Sequence, residues 1–151
     1  MSREKGHVSV TPRVVSDTSV MVAAARSNRG ASYALVSSLP APEFQPCLSV
    51  ALYTEWQAVL TRPENLPPAV TREDTLRFLR FVAGLSHLQE IHFLWRPTLR
   101  DADDDMVLEL AFAAGCRHIV THNVKDFHGS ERFGVLAIAP REFLNLIRVR
   151  R

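Results

Sequence analysis

Short β-branched or apolar runs alternate with helix-length segments along nearly the whole chain, and that alternation leaves few folds open. Arg13-Val14-Val15-Ser16 is the first such run, and Asp17 or Thr18 then supplies an N-cap for a helix to about Ser27, broken at Asn28-Arg29-Gly30. A second helix is predicted over Ala31 to Ser38, stopped by Pro40 and Pro42. Pro46 to Ser49 reads as a brief strand, and Val50 to Thr61 as a helix that Pro63 ends. Thr71-Arg72-Glu73-Asp74 has the form of a capping box, with Asp in its last place, before a helix to about Leu85. His87 to Phe93 alternates loosely, as a strand would, and Arg96-Pro97 marks a loop. The run Asp101 to Asp105 precedes an apolar helix ending near Gly115. His118 to Thr121 and Val135 to Ile138 read as strands, and Pro140 at a first-turn position opens a final helix, Arg141 to Arg148.

Strands separated by helices predict an α/β domain on a mainly parallel sheet. With 151 residues and no repeat, low-complexity tract or long linker, the reading is one domain over 13–147. A flexible segment, 1–12, precedes it and a basic tail, 148–151, follows. In such sheets ligands collect at the carboxyl ends of the strands, near the point where strand order reverses.

Composition excludes several functions. Eighteen Lys+Arg against sixteen Asp+Glu leave a net charge of +2, too little to coat nucleic acid by bulk electrostatics. Two cysteines, Cys47 and Cys116, make neither a disulfide framework nor a four-thiolate zinc site, and both sit among apolar neighbours. The first residues carry charge but no apolar h-region, and no apolar run approaches the ~18 residues of a membrane helix. The expectation is a protein of the cytoplasm with no membrane partner.

The chemistry concentrates in acids. Asp17 directly follows the first strand, where an Asp often serves only as a cap. Asp101, Asp103, Asp104 and Asp105 crowd a helix start, where the dipole favours acid, but four carboxylates exceed what one helix end can use. At ~100° per residue, Asp104 falls on the stripe of Val107, Leu108, Ala111 and Gly115, with Asp101 and Asp105 nearer its edge and Asp103 well away. A carboxylate aimed at the top of a core needs a partner, which a metal ion would supply. Glu55 stands at the edge of the Leu52/Trp56/Val59/Leu60 stripe, with Arg62 too far along to pair with it at i,i+4. Thr121-His122-Asn123 follows another strand, with Asp126 beyond; turn and cap roles are open to Asn123 and Asp126 singly, but Asp17 and Thr121–Asn123 both fall at strand ends, and their joint placement is the signal.

These residues resemble the PIN-domain nucleases, in particular the toxin components of toxin–antitoxin pairs. The resemblance runs from Arg13-Val14-Val15-Ser16-Asp17-Thr18-Ser19-Val20 through Thr54-Glu55-Trp56 to Arg100-Asp101-Ala102-Asp103-Asp104-Asp105. It continues in Leu108-Glu109-Leu110-Ala111 and closes with Ile119-Val120-Thr121-His122-Asn123-Val124-Lys125-Asp126-Phe127 and Pro140-Arg141-Glu142-Phe143-Leu144. It implies a three-layer fold, a five-stranded parallel sheet flanked by helices, with acids at one end binding Mg²⁺ or Mn²⁺. Carried over, the catalytic acids are Asp17, Glu55 and Asp104, with Asp101, Asp105, Asn123 and Asp126 as further metal ligands; Asn123 stands where the family commonly has Asp. The implied reaction is metal-assisted hydrolysis of RNA. Thr18, Ser19 and His122 are candidates for orienting water or phosphate, and Arg62 and Arg100, with Arg26 and Arg29, for neutralising it. A small antitoxin protein is the implied partner, and homodimers are common in the family.

Two other readings compete. Asn123 favours a catalytically weak PIN-like module that binds RNA or protein. A phosphotransfer receiver domain would need an acceptor Asp after a central strand, but Leu94-Trp95-Arg96 follows His87 to Phe93 instead.

Overall fold

The computed structural model describes residues 11–92, 99 and 101–149. The segment before residue 11, Phe93, the Arg96-Pro97 loop, Arg100, Arg150 and Arg151 lie outside the described residues. In chain order the elements are β1 (Arg13–Ser16), α1 (Thr18–Arg26), α2 (Ala31–Ser37), β2 (Gln45–Leu48), α3 (Val50–Leu60) and α4 (Arg72–Gly84). Then come β3 (His87–Leu88), α5 (Ala102–Ala113), β4 (His118–Val120), β5 (Leu136–Ile138) and α6 (Pro140–Val149).

The strands form one five-stranded sheet in the order β3-β2-β1-β4-β5, with every neighbouring pair parallel. The chain therefore builds outward from β1 in one direction, then returns to its other side through β4. Strand order reverses between β1 and β4, which opens the crevice where an α/β sheet binds ligands.

Alternate strand residues feed two cores on opposite faces. Val15 and Ile119 point into the larger one, with Leu52 and Trp56 of α3, Leu79 of α4 and Leu108 of α5. Val14 and Val120 point into the smaller one, with Leu35 of α2 and Phe143 and Ile147 of α6. The sheet is thus a buried middle layer, as a parallel sheet requires. Cys47 and Cys116 are buried free thiols lying side by side.

Three expectations are corrected. The third strand ends at Leu88 rather than reaching Phe93, because its neighbour β2 stops at Leu48, where Ser49 turns away to cap α3. Gln89 N–H donates to Leu48 O (2.8 Å), the last bond β2 offers on that edge. The run Asp101 to Asp105 does not precede α5: Asp101 is its N-cap, and Asp103, Asp104 and Asp105 form its first turn. Nor does α5 bury a single stripe, since Val107 to Ala111, Glu109 among them, are all buried behind the acidic first turn.

Candidate metal-binding site

Asp17 leaves β1 and caps α1 at the β1/β4 crevice. Its backbone N–H donates to Val120 O of β4 (2.9 Å), so the residue is built into the sheet. The carboxylate is buried and held from three sides. Oδ1 accepts from Thr18 N (2.8 Å), while Oδ2 accepts from Thr121 Oγ (2.8 Å) and Ser19 Oγ (3.1 Å). Three of its roughly four acceptor sites are occupied, which fixes its orientation.

Glu55, half-buried on α3, accepts a hydrogen bond from the Thr18 hydroxyl. Burial raises the Glu55 pKa; the Thr18 bond opposes this, and the nearby carboxylates of Asp103 and Asp17 push it higher. Asp104, half-buried in the first turn of α5, is driven up to about 7, first by burial and then by the charges of Asp17, Asp101, Asp126 and Asp103. Among the described residues, the Asp104 carboxylate accepts no hydrogen bond. The acids of β1, α3 and α5 therefore feel one another across the crevice.

The other expected residues are placed as follows. Asp101 accepts from Asp103 N (2.8 Å) as the α5 cap, and Asp105 accepts from Leu99 N (2.9 Å), tying down the approach to the helix. Asn123 donates its backbone N–H to Thr121 Oγ (3.0 Å) and begins a turn of 3₁₀ helix that carries Asp126, whose charge reaches Asp104. Thr18 and Ser19 are turned toward Glu55 and Asp17, so their hydroxyls serve the acids. His122 shares a hydrogen bond between Nε2 and Ser32 Oγ (2.7 Å). Arg62 is not brought to the acids: it is exposed beyond the far end of α3, roughly 10 Å along the axis from Glu55. Arg26 and Arg29 are exposed near the end of α1, and Arg100 lies outside the described residues.

Two residues were missed by pattern. Asp103 points away from the core stripe, as its helical phase requires, yet its carboxylate lies near enough to Glu55 to help raise that group's pKa. Nothing in the sequence announces that proximity, because Glu55 belongs to another helix. Thr121, fully buried, holds Asp17; its signal was its place at the end of a strand, two residues before Asn123.

Carboxylate and amide oxygens without thiolates suit hard divalent cations. Among the described residues, however, no three acids or histidines are close enough together to hold a metal ion. The donor set fits a cation, while the side chains stand apart. A cavity of about 230 Å³ sits at the opposite, amino edge of the sheet, lined by Arg13, Arg117 and His118 above apolar α6 residues. Arg13 there donates to Ala114 O (3.2 Å), satisfying the carboxyl end of α5.

Fold and site together define a class: a three-layer α/β domain whose acids gather where the parallel strand order reverses. The chain belongs to the PIN-domain family, whose model matches residues 13–125. PIN domains are generally nucleases, so the class of function is nuclease-type. No curated protein matches the chain significantly. Among the described residues, no helix is long and apolar enough to cross a membrane.

Proposed function

We propose that this protein is a divalent-metal-dependent endoribonuclease, the toxin of a toxin–antitoxin pair acting in the cytoplasm. The observation that carries the metal dependence is Asp104: a half-buried carboxyl facing Asp17 and Asp103, without a hydrogen-bond donor among the described residues. A divalent cation beside such a group would offset its burial and the neighbouring charges. Asp17, Glu55 and Asp104 would hold a Mg²⁺ or Mn²⁺ ion, with Asp103, Asn123 and Asp126 around it. A bound ion of this kind offsets the carboxylates against a phosphodiester and makes water a better nucleophile. The chain's own contribution is positional. Thr121, Ser19 and the Thr18 amide fix Asp17, and the Thr18 hydroxyl holds Glu55, so the orientation of two of the acids is set by the chain itself. The toxin role rests on the resemblance described above. It implies a small antitoxin that covers the acidic crevice.

The deciding experiment measures cleavage of single-stranded RNA in Mg²⁺ or Mn²⁺, in EDTA, and by Asp17→Asn and Asp104→Asn. Metal-dependent cleavage lost in both variants supports the reading; equal cleavage throughout would sink it. A second reading, a module that binds RNA or protein with little catalysis, is favoured by Asn123 in place of an acid and by the open spacing of the carboxylates. RNA affinity and metal binding without cleavage would select it.

A further inference from the structure

His122 and Ser32 are absorbed neither by metal binding nor by a substrate contact. We propose that they form a latch that positions Asp17 from a distance, an inference resting on the metal-binding reading above. His122 is attached at both ends. Its ring Nε2 shares a 2.7 Å hydrogen bond with Oγ of Ser32, a buried residue in the first turn of α2. Its backbone N–H donates to Ser19 Oγ of α1 (3.2 Å), and Ser19 donates onward to Asp17 Oδ2 (3.1 Å).

The chain Ser32–His122–Ser19–Asp17 thus joins α2, the segment after β4, and α1. Its purpose follows from what Ser19 can do. A serine hydroxyl rotates freely and has one proton; by accepting from His122 N–H it is left to aim that proton at Asp17. Thr121 reaches the same oxygen but sits in the buried end of the sheet, whereas Ser19 belongs to a helix that packs against α2. The latch adds a side-chain tie from α2 to the segment after β4, beside the Thr121–Asp17 bond that ties α1 there. Outer groups that orient a ligand typically alter metal affinity about 10- to 100-fold when removed. Ser32 acts through two intermediaries, so the expected effect lies at or below the lower bound.

The test uses the full-length protein, with Mn²⁺ alone as probe, titrated by calorimetry and by electron paramagnetic resonance. Ser32→Ala and His122→Ala are expected to weaken Mn²⁺ binding about three- to tenfold. Ser32→Thr, which keeps the hydroxyl, restores it, and Ser37→Ala, further along α2, leaves it unchanged. Amide hydrogen exchange at Asp17–Ser19 and His122 accelerates in the two alanine variants without metal. A latch that served folding alone would lower the melting temperature and leave Mn²⁺ affinity untouched, which overturns the proposal. Unchanged exchange overturns it as well. Failure of the wild type to bind Mn²⁺ overturns the metal reading itself, and is recognised separately because the exchange measurement needs no metal.

Discussion

Helices α4 and α5 both place an aspartate at their third residue, Asp74 and Asp104, where the helix dipole favours negative charge. In α4 the acid closes a capping box: Asp74 Oδ2 accepts from Thr71 N, and Thr71 Oγ accepts from Asp74 N, both at 3.0 Å. The backbone and side-chain bonds with Thr71 hold the Asp74 pKa below the usual carboxylate range. In α5 the cap is itself an acid, Asp101, and no reciprocal bond reaches Asp104. Burial and four neighbouring carboxylates send its pKa the other way, to about 7. The local position is the same and the tertiary surroundings differ. The reciprocal bond that engages Asp74 in α4 is missing at Asp104, although Asp101 still caps α5.

The largest expected contrast is catalytic. Asp104→Asn is expected to lower RNA cleavage about 100-fold or more, and Asp74→Asn to leave it unaltered, read as initial rates on one RNA in Mg²⁺. If Asp74→Asn were the more damaging, the comparison would collapse. Next comes metal-linked stability. Mn²⁺ at ~100 times its dissociation constant stabilises the wild type by about 2.7 kcal/mol, a melting shift of several degrees that Asp17→Asn and Asp104→Asn largely lose. Calorimetry with and without EDTA reads this directly.

The pH dependence sharpens the contrast further, because the two acids have opposite signs. Asp104 holds its proton more tightly folded than unfolded, so its effect on stability worsens as pH rises from about 4 to about 7 and stays at its worst above that. Without metal, Asp104→Asn is expected to stabilise the protein at pH 8 by about 1 kcal/mol after allowance for solvent screening, and to change little at pH 3. Asp74 holds its proton less tightly folded, so its contribution is present above the unfolded pKa and lost as pH falls through the folded one. Asp74→Asn therefore destabilises at pH 7, an effect that vanishes in acid; urea midpoints at the two pH values compare the pair. The smallest effects separate capping from charge. Thr71→Ala costs about 1 kcal/mol, whereas Asp101→Ser keeps a capping oxygen, removes a charge beside Asp104, and is expected to be neutral or stabilising by a few tenths.

Much of the local structure was readable because it is decided locally. Asp17 as a cap, the Thr71 capping box, Pro140 opening α6 and the breaks at proline all depend on neighbours within four residues. The third strand was overextended for the complementary reason: where an edge strand ends is decided by its partner, and β2 stops at Leu48. Helical phase correctly aimed Asp104 inward, but the same reasoning set Asp103 aside. Phase reports direction relative to the core and is silent about what stands on the other side.

By itself, then, the sequence determined the alternation of elements, their caps and stops, and the family to which this order of acids belongs. Those depend on periodicity, backbone preference and short-range hydrogen bonds. Only the tertiary structure decided that β4 returns beside β1, bringing Thr121 to Asp17 from 104 positions away. It also decided that Glu55 meets Asp103, that His122 is tied to Ser32, and that Asp104 and Asp74 titrate in opposite directions. The physical reason is common to all of these: burial and the field of other charges are properties of neighbours in space, and chain distance does not encode them.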